Sequence, residues 1–251
     1  QVGFAVDLFH RALGATKHFT HPRAIAFAII GIHAYLCGFS GDSRAKRMRK
    51  KLSSRLMKKF RDFTAQEDAT EGWPWCADNL SYDNARLSQA LLLSGQWLPD
   101  REMLEMGLRS LDWLKRVQTD EAGRHFAAIG NQGWFTRGSE KARFDQQPIE
   151  AAAMVDACIE AFNCTRDEEW IAYAYRCLNW FQGENDLRVP LYDHATGGCR
   201  DGLEAQGANQ NQGAESSLCW LTALLAIYNH RGCDQVSPGE EPARLDVQNV
   251  S

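Results

Sequence analysis

Apolar residues recur at three- and four-residue spacings through residues 23–39, 44–63, 84–95, 100–117, 148–163, 167–182 and 212–229. That is the period of a helix with a buried face, so seven helices are predicted there and a shorter one within Val2 to Phe19. Strand-like alternation and Asn-Gly hairpin turns are missing, and no sheet of any size is expected. The fold class is all-α.

The segments pair. A small-residue-rich helix that is apolar all round is followed by a short turn and a more charged, one-sided helix. The first helices of the pairs begin near Arg23, Asn84, Gln147 and Gln212, at separations of 61, 63 and 65 residues, which is a hairpin repeat. A helix apolar on every side must be covered on every side, whereas its partner needs cover on one face only. The first set is therefore inner and the second outer. Turns inside a pair are short, around Gly41-Asp42, Gln96 to Asp100 and Asn163 to Arg166. The connections between pairs, residues 64–82, 118–146 and 183–211, are long, and long loops in a compact domain are usually functional. All three lead into the beginnings of inner helices, so in a closed ring they would cover one face together.

Length and composition fit one large domain over residues 1–235 followed by a polar tail, 236–251. The opening at Gln1, with no charged-then-apolar leader, reads as a cut inside a longer protein. No apolar run approaches the roughly 20 residues a bilayer crossing needs, so no transmembrane segment is expected. Eight scattered cysteines, several of them in helical patterns where a thiol packs as a small apolar group, fit a reducing cytoplasm. Zinc-like Cys and His spacings are absent, as are the P-loop and Gly-x-Gly-x-x-Gly patterns, and neither a metal nor another cofactor is expected.

Charge is segregated. Ten of the 28 basic residues lie between Arg44 and Arg61, leaving 18 basic against 32 acidic elsewhere, a balance of −14. The plain reading is an amphipathic helix with Ala45, Met48, Leu52, Leu56 and Phe60 buried and lysine and arginine solvated. The alternative is docking of an anionic surface. The acidic remainder would repel nucleic acid, which is not expected as a partner.

The chemistry collects in the loops. The first ends in Trp73, Trp75, Asp78, Tyr82 and Asp83, with Arg86 just inside the next helix. Aromatic faces stack on pyranose rings and carboxylates bind hydroxyls, although Asp83 or Asn84 could equally be an N-cap. The second loop carries Trp134, Asp145, Gln146 and Gln147, with Glu150 in the first turn of the helix that follows. Asp145 and Glu150 form a candidate carboxylate pair for acid and base work on a glycosidic bond, with capping by Asp145 or Gln146 as the plain alternative. The third loop offers Tyr192, Asp193, Asp201, Asn209, Asn211, Gln212 and then Glu215, a surface suited to hydroxyls.

The strings WPWCADNLSYDNARLSQALL, FDQQPIEAAAMVDAC and LYDHATGGCRDGL with NQNQGAESSLCWL resemble a bacterial family of α/α-toroid domains. That family occurs alone or as C-terminal extensions of group-1-type glycosyltransferases, near genes for mannoside metabolism. The resemblance covers about Pro22 to Tyr228 and implies an (α/α)6-like toroid of the six-hairpin glycosidase superfamily. Where the family carries Phe-Glu, this chain has Cys76-Ala77, so no carboxylate stands at position 77.

The leading expectation is a carbohydrate-active domain that hydrolyses or otherwise processes an oligosaccharide, a mannoside among the candidates, with Asp83, Asp145, Glu150, Asp201 and Glu215 as catalytic acids and bases. The other loop residues named above would bind the sugar. A sugar epimerase of the same shape would want two funnel histidines, for which only His125 and His194 lie in suitable loops. The alternative from another class is a non-catalytic sugar-binding or scaffold module serving a glycosyltransferase.

Overall fold

The computed structural model describes residues 2–65 and 72–234. The polar tail 236–251 and residues 66–71 of the first long loop lie outside that range. Eight α-helices occur among the described residues: α1 (Val2–Leu13), α2 (Pro22–Gly38), α3 (Ser43–Thr64), α4 (Ala85–Trp97), α5 (Arg101–Val117), α6 (Pro148–Thr165), α7 (Glu168–Phe181) and α8 (Ala214–Asp234). A 3-10 turn, Ala15–His18, joins α1 to α2. Extended structure is confined to short pairings: β1 (Asn79–Leu80) with β2 (Phe135–Thr136), and β3 (Leu203–Glu204) with β4 (Gly207–Ala208), plus isolated bridges in the loops.

The helices pack as hairpins, α2 on α3, α4 on α5 and α6 on α7, and the first members form a row, α2 against α4, α4 against α6, α6 against α8. The inner and outer assignment follows from burial. On α4 every residue from Leu87 to Gly95 is buried, and on α6 so are Ala151 to Val155, Ala157, Cys158, Ala161 and Phe162. On α5 the buried residues, Met103, Gly107, Ser110, Leu111, Trp113 and Leu114, lie on one side. Small residues let the helices approach: a Cβ on Gly107 would stand 3.0 Å from the Leu92 side chain. Where hydroxyls are enclosed they satisfy each other, Ser53 with Ser94 at 2.7 Å and Ser88 with Ser110 at 2.8 Å.

The outer helices begin with their own caps. Asp42 accepts from the amides of Arg44 and Ala45, Asp100 from Met103 and Asp167 from Glu169, each satisfying donors that a helix start leaves open. The inner helices α4 and α6 have no such side-chain cap. Their first turns meet the long loops instead.

The basic helix α3 buries Ala45, Leu52, Leu56 and Phe60 as expected, with Met48 half-buried. One residue departs from the expected solvated face: Arg49 is only 6% exposed.

In the second loop, Gly130 marks the tightest approach. A Cβ there would fall 2.0 Å from the Phe144 carbonyl oxygen and 2.4 Å from its carbon, which are backbone atoms that cannot rotate away. Gly130→Ala is expected to lower stability by about 1–3 kcal/mol, the usual cost of overpacking, as read from chemical denaturation. An unchanged midpoint would show that the loop can relax.

Candidate functional site

The three long loops are stitched together. Pairing of β1 with β2 joins the first to the second, and the Gln146–Leu203 bridge joins the second to the third. The first loop leads into α4, the second into α6 and the third into α8, so inner-helix beginnings are gathered beneath one set of loops.

Asp83 sits at this junction. Its backbone is left-handed, with φ of 53°, a conformation that a non-glycine residue adopts at a cost and that gathers at functional sites. The residue is 2% exposed, and its buried Oδ1 has no hydrogen-bond donor. Charged side chains on all four inner helices act on it. Arg86 of α4 stands with Nε 3.4 Å from Oδ1, while Arg23 of α2, Asp156 of α6 and Glu215 of α8 act on it electrostatically. Burial raises the Asp83 carboxyl to about 6, the two arginines pull it down, and Asp156 and Glu215 push it further up. Arg86 is itself shared, donating from Nη1 to Asp156 at 2.6 Å and to Gln89 at 2.9 Å. One guanidinium therefore lies beside both Asp83 and Asp156. Asp156 carried no signal in the loops. What marked it was an acid in the middle of an alanine-rich helix whose first half is otherwise mostly buried.

Glu150 plays a different part from the one its sequence position suggested. It is 1% exposed; Oε1 accepts from the Asp83 amide and Oε2 from Asn84 Nδ2 at 3.2 Å. Asn84 is the N-cap of α4 but makes no side-chain cap bond; its amide instead closes on Ser81. Likewise Gln147, not Asp145 or Gln146, precedes α6, and without a cap bond. The expected local capping gives way to a carboxylate from α6 that holds the entrance of α4. Burial, and then the neighbouring Asp83, push Glu150 up to about 8.

Asp145 and Asp201 form a second group with Glu204. Burial and then Glu204 raise Asp145, opposed by a hydrogen bond from the Asn131 side chain, and its carboxylate lies against Gly202. Asp201 accepts from the Gly213 amide at 2.7 Å, from Ser216 Oγ at 2.7 Å and from Asn211. Burial pushes Asp201 up, yet these bonds outweigh it and hold the group low. Asp201 thus caps the approach to α8, and Glu215, in its first turn, is exposed.

The amides expected to meet hydroxyls are largely engaged inside the protein. Gln146 is fully buried, donating to Asp186 at 2.8 Å and accepting from Trp180 Nε1 at 2.9 Å. Asn209 donates to Glu204, and Gln212 donates to Asp193 while accepting from Thr196. Asp193 also accepts from the Ala195 amide and Arg200, and these contacts, led by the Ala195 amide, hold it below the usual carboxylate range. Gln147 is half-buried, and Asp78 is exposed.

Among the aromatic candidates, Trp75 is a core residue: 2% exposed and packed on Phe60 and Trp113, it has no face left for a sugar. Trp73 packs on Trp113 and Phe135 and donates to the Ala77 carbonyl at 2.8 Å. Tyr192 stacks on Trp220. Tyr82 is the exposed one, at 45%. It lies under the Arg23 guanidinium at 4.3 Å and faces the left-handed Trp134 with ring centroids 6.5 Å apart.

Away from Asp83, two cavities of about 470 and 680 Å³ share Arg124, His125 and Asp186. His125 Nε2 lies 2.8 Å from Asp186, and its Nδ1 faces Asp120 at 3.7 Å. His125 is thus tied to Asp186 through one ring nitrogen. His194 packs edge-on against Tyr192.

No helix among the described residues is long and apolar enough to cross a membrane. No protein-family model matches the chain, and no curated protein matches it.

Proposed function

We propose that the chain is a carbohydrate-active domain in which Asp83 donates a proton to the glycosidic oxygen of an oligosaccharide, a mannoside by the resemblance given above. The observation that carries this reading is a buried carboxyl, acted on by charged side chains of α2, α4, α6 and α8, that has an oxygen accepting no hydrogen bond and an upward shift to about 6. A proton donor at neutral pH needs that combination. Asp156 is the partner carboxylate, Arg86 orients both acids, Glu150 positions the Asp83 backbone, and Tyr82 with Trp134 supplies the stacking surface for a sugar ring.

The same reading takes the helix row as part of an (α/α)6-like ring. Its support is the repeat of inner and outer helices, together with α8, whose Leu218, Leu221, Leu225 and Tyr228 are exposed where an inner helix of a ring would meet a further neighbour. A glycosyltransferase domain is the partner that the sequence resemblance implies.

A second reading, a non-catalytic sugar-binding module serving a glycosyltransferase, is favoured by one observation: Glu150, Asp145 and Asp201 each hold loop groups through hydrogen bonds. Reducing-sugar release from manno- and gluco-oligosaccharides separates the two. Turnover supports the enzyme. Binding without turnover, with amide variants of Asp83, Asp145, Glu150, Asp201 and Glu215 altering affinity alone, replaces it by the second reading.

A further inference from the structure

At the other end of the inner helices, about 20 Å from Asp83 along the 13 residues of α4, the end of α2, the start of α3 and the α4–α5 turn enclose a cavity of about 400 Å³. Its walls are Leu36, Ser40, Lys46, Arg47, Arg49, Lys50, Trp97 and Leu98. Four of the eight are cationic and none is acidic.

Arg49 is the unusual member. A buried charge is ordinarily paired, because desolvating it alone is costly. Arg49 is 94% buried, yet its Nε and Nη1 have no acceptor. Its guanidinium lies 5.2 Å from the Trp97 ring. Burial lowers its affinity for a proton, opposed by Cys37; the same guanidinium adds to burial in lowering His33. The backbone adds to the positive field. Lys46, Arg47 and Arg49 fall in the first two turns of α3, where the helix dipole is positive and where Asp42 is the only capping acid. Asp100 and Glu102, across the α4–α5 turn, are already committed to the Met103 amide and to Arg61.

We propose that this cavity binds a phosphate monoester, with the phosphoryl group taken by the Arg49 guanidinium and surrounded by Lys46, Arg47 and Lys50, and with the planar or apolar body against Trp97, Leu36 and Leu98. A guanidinium presents paired donors that match phosphoryl oxygens, and the lysines add point charge without demanding geometry. A cavity of this size suits a small ligand. A membrane surface would engage the exposed lysines but not a guanidinium enclosed beneath them, and the acidic remainder of the chain disfavours nucleic acid. The site gives the basic run between Arg44 and Arg61 a role beyond solvation, and it is independent of the chemistry at Asp83.

Calorimetric titration of the 251-residue chain with phenyl phosphate, inorganic phosphate and phosphatidylserine vesicles tests it. Saturable binding of phenyl phosphate at one site, tighter than that of inorganic phosphate, is expected. Arg49→Gln should weaken it about ten- to a hundredfold, the worth of a charged hydrogen bond or two. Because Arg49 is buried and its replacement could disturb folding, the exposed pair Lys46→Glu with Lys50→Glu carries the same test and should also weaken binding at least about tenfold. Trp97→Leu should remove the preference for phenyl phosphate over inorganic phosphate. Absence of saturable binding, affinity unmoved by the double lysine variant, or binding to vesicles alone would each overturn the proposal.

Discussion

Asp83→Asn is expected to lower oligosaccharide turnover by roughly two to four orders of magnitude, the usual worth of a positioned proton donor, while the melting temperature changes little. The amide keeps the shape of the side chain and its tolerance of the left-handed backbone. What it removes is the proton. The wild-type pH profile should carry the same signature. A donor must be protonated to act, and burial puts Asp83 at about 6, so the rate should fall about tenfold per pH unit above that value. Asp201→Asn is the control, because Asp201 is held low by three donors, opposite in direction to Asp83. A profile with no limb near pH 6, or an Asp83→Asn protein as active as the wild type, would sink the assignment.

Glu150→Ala should be the most damaging single change to stability. It strands the Asp83 amide and leaves Asn84 Nδ2 with Ser81 as its one remaining acceptor, at about 1–3 kcal/mol for a buried donor left unmade, and opens a void at the head of α6 besides. Stability should also depend on pH through this residue, and the sign is set by the direction of its shift. Glu150 is raised to about 8 in the folded protein, against about 4.3 in an unfolded chain. The folded state therefore holds a proton that the unfolded state has released, and stability falls as pH rises through that interval. Asp83, raised to about 6, contributes in the same direction lower down, and His33, lowered by burial, contributes in the opposite direction below its ordinary value of 6.5. Between pH 6.5 and 8 Glu150 acts alone among the shifted groups named here. The loss across that window is about 2 kcal/mol, or a melting temperature lower by roughly 4–8 °C for a chain of this size. Glu150→Gln, which cannot ionise, should flatten the slope even though it starts from a lower stability. A slope unchanged in that variant would place the titration elsewhere.

The outlines of the helices were legible because each depends on residues close in sequence. The 3.6-residue period located α2 to α8 to within a few residues, and all-round burial against one-sided burial separated α4 and α6 from α5 and α7. Arg86 meets carboxylates on two helices, and the tryptophans of the first loop pack into the core rather than line its surface. Capping is local at Asp42, Asp100 and Asp167. At α4 the expected Asn84 holds the N-cap position but makes no side-chain cap bond, because the acceptor at that entrance comes from Glu150, 67 residues along the chain.

Sequence alone therefore determined the element order, the alternation of inner with outer helices and the gathering of polar groups in the inter-hairpin loops, since periodicity, propensity and loop length are properties of contiguous residues. Only the tertiary structure decided which carboxylate is committed to hydrogen bonds and which is not. Asp83, Glu150 and Asp201 look alike as acids at helix entrances. Burial and partners from distant segments raise Asp83, whose Oδ1 accepts no hydrogen bond, bind Glu150 to another helix and hold Asp201 low. Arg49 looked like its solvated neighbours until folding enclosed it. The energy of a charge depends on the dielectric and the groups within a few ångströms of it, and those neighbours are set by how the hairpins stack.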